Sequence, residues 1–265
     1  MKTDSNSFAL ITGASQGIGL ELARVFAQHK INLILSSRRE KELTQLAEEL
    51  SSKYQVRVYI KSADLSIPDE VVGLHNFIRE KKFFIEYLVN NAGFGWLGKF
   101  HDSDWKNMSD MIQLNMHAPV YLTREFVNDM IANKRGRILN IVSTAAFQPG
   151  PLMTLYYATK AFVLSFSEGI SEELNGTGVT VTALCPGPTY SGFQKKAEIG
   201  NARILRTIPV ATSEKVALFG YKAMMKGKSV AIPGFMNSIG VFSVRLTPRS
   251  VARKLVKRLH LPLRK

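Results

Sequence analysis

Phe8-Ala-Leu-Ile-Thr12-Gly13-Ala-Ser-Gln-Gly17-Ile-Gly19 is an apolar run that ends abruptly in a glycine-spaced turn. Behind it, residues 17–29 repeat apolar side chains at helical spacing, namely Ile18, Leu22, Val25 and Phe26. A strand feeding a glycine turn and then an amphipathic helix is the opening of a dinucleotide-binding βαβ unit. A pyrophosphate must lie against bare backbone at a helix N-terminus, where free N–H groups and the positive end of the dipole meet its charge. The spacing is G-x-x-x-G-x-G, not the commoner G-x-G-x-x-G, and a plain tight turn would use the same residues. What precedes and follows the turn favours binding, with Gly13, Ser15, Gln16, Gly17, Ile18 and Gly19 as the cradle.

Outward from this turn, short apolar runs alternate with longer periodic segments. The runs are Phe8–Thr12, 31–35, 56–60, 85–89, 137–142, 179–184 and a brief 229–232. Rich in Val, Ile and Leu with little polar alternation, they fit strands covered on both faces. Residues 40–50, through Leu43, Leu46, Ala47 and Leu50, and residues 161–174, stopped by Asn175-Gly176, read as helices. The pattern predicts a single-domain α/β fold: a Rossmann-like, doubly wound, mainly parallel sheet of seven strands with helices on both faces. Residues 1–247 form this domain, and a basic amphipathic extension follows at 248–265. Residues 189–209 lack a clear period and follow a strand end, so they are expected to be a flap over the substrate.

A 265-residue chain with 45% apolar and 21% charged residues has the balance of a globular protein and can bury a sizeable core. Its one cysteine, Cys185, allows no internal disulfide, and the polar N-terminus does not read as a signal peptide. Cytoplasmic location is expected, with peripheral attachment to a membrane left open. No metal site is expected. Twelve lysines and arginines, and no acid, lie from Lys215 onward, so the net charge of +14 belongs mostly to that end.

The end of the second strand bears on the cofactor. Asp or Glu there holds the ribose 2′-hydroxyl of NAD, whereas a 2′-phosphate wants arginine. Ser36-Ser37-Arg38-Arg39 offers no acid before Glu40. NADP(H) is therefore expected, with Arg38 the first partner and Arg39 the second, unless both are solvated loop charges.

Thr12-Gly13-x-x-x-Gly17-x-Gly19, Asp64-Leu65, Asn90-Asn91-Ala92-Gly93, Asn115, Ser143, Tyr156-x-x-x-Lys160 and Pro186-Gly187 follow one another in the order and spacing of a known family. The chain closely resembles the short-chain dehydrogenases/reductases over roughly three-quarters of its length, and in particular their bacterial oxidoreductases similar to 3-oxoacyl and hydroxysteroid reductases. Reducing a carbonyl by hydride transfer leaves charge on oxygen that must take up a proton. A tyrosine with pKa about 10 is a reluctant donor near neutrality, and a nearby ammonium brings its pKa down. Tyr156 and Lys160, four apart, share a helix face, and Ser143 at a strand end can hydrogen-bond the same oxygen. Tyr157 is three residues from Lys160, but family spacing selects Tyr156 and leaves Tyr157 to packing. The resemblance also implies that Lys160 contacts the nicotinamide ribose and that Asn115 supports a water-linked proton relay. It implies that Asp64 and Leu65 flank the adenine and that Asn91, Ala92 and Gly93 line the cofactor cleft. Pro186, Gly187, Thr189 and Ser191 are placed by it near the carboxamide. Asn90 is assigned to the strand end, and Ser15 and Gln16 are expected to assist with the 2′-phosphate.

Segments after the fourth to sixth strands would line the substrate pocket through Ser143, Phe94, Trp96, Phe147, Tyr190 and Phe193. Such a lining suits an apolar carbonyl or alcohol, although some of these rings could equally close the core. The tail 248–259 reads as a helix with Val251, Leu255 and Leu259 on one stripe and Arg249, Arg253, Lys254, Lys257 and Arg258 around it. Such a helix either packs on the domain with a solvated basic face, or lies on an anionic membrane or an acidic partner such as acyl carrier protein. Nucleic-acid binding is not expected, because no recognised module accompanies the charge. The resemblance implies a homo-dimer or tetramer paired through the helix bearing Tyr156. The rival reading is an NADP(H)-binding sensor or scaffold without turnover, which would have no need of a Ser/Tyr/Lys set. An extended-branch dehydratase or epimerase is a weaker rival, being usually longer.

Overall fold

The opening run is strand β1 (Ser7–Thr12), every residue of which is buried, and the glycine turn leads into helix α1 (Gly17–Gln28). The structure is a computed structural model and describes residues 6–191, 197, 203 and 210–261. The chain continues through β2 (Asn32–Ser37), α2 (Glu40–Tyr54), β3 (Val58–Ser62), α3 (Pro68–Glu80) and β4 (Phe84–Asn90). Then come α4 (Trp105–Ile112), a π-helical turn (Gln113–His117), α5 (Ala118–Ala132), β5 (Gly136–Ile141), α6 (Thr154–Glu173) and β6 (Val179–Leu184). Short strands β7 (Thr189–Tyr190) and β8 (Ala211–Thr212), helix α7 (Ser213–Met225), β9 (Val230–Ala231), α8 (Phe235–Leu246) and α9 (Arg249–His260) complete it.

The main sheet has seven strands in the order β3-β2-β1-β4-β5-β6-β9, all parallel, and β7 and β8 form a separate parallel pair. All seven expected strands are present. The sheet is covered on both sides because alternate residues of each strand are apolar on both faces. Ala9 and Ile11 pack with Leu22 and Phe26 of α1 and Val216 and Tyr221 of α7, while Phe8 and Leu10 pack with Leu74 and Ile78 of α3 and Phe126 of α5. The winding reverses at β1, whose neighbours are β2 on one side and β4 on the other. Such a reversal opens a crevice beyond the carboxyl ends of the strands, and Gly13, Arg38 and Asn91 follow those ends directly.

Three readings of the helices change. The helix expected from residue 161 starts at Thr154, so Tyr156 and Lys160 sit in its first turns; it ends at Glu173, with Gly176 at φ +78° after it, as the Asn-Gly stop implies. Helix α8 was not expected. The tail helix forms, but Val251 and Leu255 are exposed, and its buried face is Ala252, Val256 and His260. The stripes 251/255/259 and 252/256/260 have identical spacing, and the second meets the domain. Residues 192–196, 198–202 and 204–209, most of the expected flap and Phe193 with it, lie outside the described residues.

Candidate active site

One cavity of about 700 Å³ occupies the crevice, and it collects most of the residues singled out above. Gly13, Ser15, Gln16, Gly17 and Ile18 line it after β1, and Ser37, Arg38, Arg39, Asp64 and Leu65 after β2 and β3. Asn91, Ala92 and Gly93 follow β4; Ser143, Tyr156 and Lys160 come from β5 and α6; Pro186, Gly187, Thr189 and Ser191 follow β6.

The turn needs its glycines. Gly17 has φ +57°, and a Cβ there would lie 2.9 Å from Ser191 Cβ. A Cβ at Gly19 would lie 2.4 Å from the Gly13 carbonyl oxygen. Among the described residues, no side chain caps the N-terminus of α1, the arrangement that holds an anion through the first N–H groups of a helix. Asn91 braces the turn: its side-chain N–H₂ donates to the Thr12 carbonyl at 2.9 Å and to the Gly13 carbonyl at 3.2 Å. Thr12 Oγ1 in turn accepts from the Asn91 and Ala92 amides at 3.0 Å each. Asn90 is buried, donating to Asn140 Oδ1 at 2.9 Å, and serves the strand end as expected.

Arginine placement sharpens the cofactor reading. Arg39 crosses from the end of β2 to the glycine turn and donates to Ser15 Oγ from Nε at 3.2 Å and Nη2 at 2.9 Å. Arg38 instead pairs with Asp64 at 3.4 Å. Burial pushes the Asp64 carboxyl up, but hydrogen bonds from the Ser66 hydroxyl and amide and the charge of Arg38 outweigh it and hold it below the usual range.

Ser143 combines two roles. It caps the 3₁₀ turn Thr144–Phe147 by accepting from the Ala145 amide at 3.1 Å, and it lines the cavity together with Tyr156. Burial pushes the Tyr156 hydroxyl up to about 12, and the nearby Ser143 hydroxyl opposes that rise. Lys160 is buried, which pulls it down to about 8; its Nζ donates to the Ile141 carbonyl at 2.7 Å and lies 5.9 Å from the Tyr156 ring centroid. Desolvation of both groups dominates, and the ammonium is turned to a main-chain carbonyl.

Asn115, buried within the π-helical turn, spends its side chain on positioning. It accepts from the Phe94 amide at 3.1 Å and donates to the Phe94 carbonyl at 2.9 Å and to Thr159 Oγ1 at 3.0 Å. It thereby ties the loop after β4 to the residue preceding Lys160.

Of the aromatic residues expected to line the substrate pocket, Phe94, Trp96, Phe147 and Tyr190 do not line this cavity, and Phe193 lies outside the described residues. Phe94 is buried outside the cavity with both main-chain groups clasped by Asn115. Phe147 packs against the cluster of Val142, Ala146, Val163 and Leu164, Tyr190 is 65% exposed, and Trp96 lines a small separate pocket with Phe100 and Met111. The cavity wall near Tyr156 is formed by Leu114, Ala145, Met153, Tyr157 and His260. The hydroxyl of the rival Tyr157 is engaged elsewhere: it donates to His260 Nε2 at 2.9 Å, while His260 Nδ1 donates to the Pro151 carbonyl at 2.7 Å. Burial keeps the His260 ring below its usual range, against the pull of Pro151, so it stays neutral with Nδ1 protonated. His260 was missed, since nothing in a basic tail about a hundred residues from Tyr157 announces a cavity wall.

A family description, "short chain dehydrogenase", matches residues 7–201. The uncharacterized oxidoreductase YvrD of Bacillus subtilis (strain 168) is 36% identical over 182 residues, 69% of this chain and 68% of that protein. A short-chain dehydrogenase from Sphingobium yanoikuyae in complex with NADPH superposes with a TM-score of 0.81 at 30% identity, covering 91% of this chain and 94% of that one. The bulky-bulky ketone specific alcohol dehydrogenase from Comamonas testosteroni superposes at 0.76 and 29% identity, covering 91% and 92%.

Proposed function

The chain belongs to the short-chain dehydrogenase/reductase family, whose members interconvert alcohols and carbonyls with a nicotinamide cofactor, and from that premise we propose that this one uses NADP(H) on an apolar substrate. The observation that carries the reading is the meeting of Ser143, Tyr156 and the Lys160 ammonium, 5.9 Å from the tyrosine ring, in the cavity that the N-terminus of α1 enters.

When bound, the nicotinamide supplies or takes up the hydride. Tyr156 gives its proton to the carbonyl oxygen in reduction and accepts it in oxidation. Ser143 donates a hydrogen bond to that oxygen and holds its developing charge. Lys160 keeps positive charge beneath the tyrosine and is placed to meet the nicotinamide ribose. Any water-linked relay from Lys160 runs past the Asn115 main chain, because its side-chain amide is engaged. Pro119 has no N–H to offer the Asn115 carbonyl four residues back, which suits such a relay.

Arg39 and Ser15 form the site for the 2′-phosphate, with Arg38 beside them in the cavity wall. The Sphingobium relative holds NADPH. Arg39→Ala is expected to lower kcat/KM for NADPH by about tenfold to a hundredfold, the worth of a charge-assisted hydrogen bond, while leaving NADH kinetics unchanged. An equal loss with both cofactors would exclude Arg39 as the phosphate partner.

Leu114, Ala145 and Met153 give the cavity an apolar wall, which suits a bulky carbonyl compound as the name of the Comamonas relative suggests for that enzyme. Following NADPH absorbance with ketones, aldehydes and 3-oxoacyl thioesters tests the reading; no consumption with any of them under purified conditions would favour a sensor. Pairing of copies is assigned to α6, whose outer side carries Phe162, 40% exposed and stacked on Phe166 at 6.3 Å.

A further inference from the structure

Helix α8 presents Phe235, Ile239, Phe242 and Leu246 along one side, at helical spacings of four, three and four, and all four are exposed. Phe235 is 79% and Leu246 76% exposed, and Met236 beside them is exposed too. Only Val241 of this helix is buried. Four large apolar side chains aligned on one helix and left in water form an exposed apolar patch that a soluble surface rarely carries without a partner. After the Thr247-Pro248 turn, α9 packs inward through Ala252, Val256 and His260 and leaves Val251 and Leu255 exposed, with Arg253, Lys254, Lys257 and Arg258 around them. No Asp or Glu occurs anywhere from Lys215 onward.

We propose that α8 and α9 together form an interfacial platform that seats the protein on an anionic phospholipid bilayer. The apolar stripe of α8 enters the boundary between headgroups and acyl chains, and the cations of α9 remain at the headgroup phosphates. Charge complementarity selects this occupant. A second copy docking here would bring the cations of α9 against an equally cationic region with no acid on either side to pair them. An acidic protein would satisfy α9, but it would have to supply a matching apolar groove for α8, whereas acyl chains accept an apolar stripe of any shape. Among the described residues, no helix is long and apolar enough to cross a membrane, so the contact is peripheral. The inner face of the same helix walls the cavity through His260, which places the cavity beside the platform where an apolar substrate would be concentrated. The docking does not depend on the oxidoreductase reading.

The test is co-sedimentation of the full chain with vesicles of phosphatidylcholine alone or mixed with phosphatidylglycerol. Sedimentation with the mixed vesicles and little with pure phosphatidylcholine is expected. Phe235→Ser/Phe242→Ser should weaken partitioning by about a hundredfold, from the burial of two phenylalanines, with an unchanged thermal unfolding midpoint. A chain that stays in the supernatant with mixed vesicles overturns the proposal. So does binding by the double variant equal to that of the parent, which would mark simple polycation adhesion, shared with any polyanion such as RNA. A double variant that retains vesicle binding but loses a self-association seen in the parent would assign the stripe to a contact between copies instead.

Discussion

Tyr156→Phe is expected to reduce turnover about a thousandfold, the range of a lost general acid, while NADPH binds with unchanged affinity. The substitution removes one oxygen and keeps the ring. Ser143 retains its contact with the Ala145 amide and its reach to the Pro186 carbonyl, so the turn after β5 keeps its shape. Lys160 keeps its bond to Ile141, and the buried phenyl costs less to desolvate than the phenol it replaces. Fluorescence titration of NADPH and steady-state kinetics on one reactive carbonyl separate binding from chemistry. Activity within tenfold of the parent would remove Tyr156 from the proton path. Tyr157→Phe is the control, since its hydroxyl meets only His260 among the described residues and should leave turnover within about tenfold.

Lys160→Met is expected to make the protein more stable and nearly inactive. Burial brings the lysine from its ordinary 10.5 to about 8, so between those values the unfolded chain holds more protons than the folded one. A depressed cation lowers stability fully below pH 8, and that cost fades as pH rises to 10.5. Methionine removes the cost but also the donor to Ile141, leaving a net gain at pH 7 of roughly 1–3 kcal/mol that shrinks toward pH 10.5. Turnover should fall about a hundredfold or more, because the charge under Tyr156 is gone. In the parent enzyme the same ionisation should make carbonyl reduction decline as pH rises through about 8. Thermal melts of both proteins from pH 7 to 10 check the stability half; a methionine variant less stable at pH 7 would refute it.

Much of the fold could be read along the chain because β1, its glycine turn and α1 carry three independent signals within a short stretch. The strands were legible for a related reason: a two-sided buried strand must be apolar nearly throughout, whatever its neighbours. Helices were harder. Residues 154–160 were read for chemistry, and Tyr156 and Lys160 do not advertise an apolar face although the first is half-buried and the second buried. Helix α8 is apolar on its exposed side as well as its buried one, so its sequence shows no polar face to mark a period. Around the site, Arg39 and Arg38 are indistinguishable in sequence, and only the reach of Arg39 to Ser15 separates them. Phe94, Trp96, Phe147 and Tyr190 do not line the cavity because ring type says nothing about direction: Phe94 turns into the core, whereas Tyr190 faces solvent.

The π-helical turn at Gln113–His117 gives the helix from Trp105 to Ala132 one residue more than even winding requires. Deleting one residue from those five would let the regular hydrogen-bond ladder run straight through. It would also withdraw the bulge that carries Asn115, taking its amide away from Phe94 and Thr159. Such a deletion is expected to leave the helical circular dichroism intact while turnover collapses, and preserved turnover would show the irregularity to be incidental. The five-residue turn is thus a place where the chain's length itself is under constraint: a gap there would repair the helix and dismantle the site.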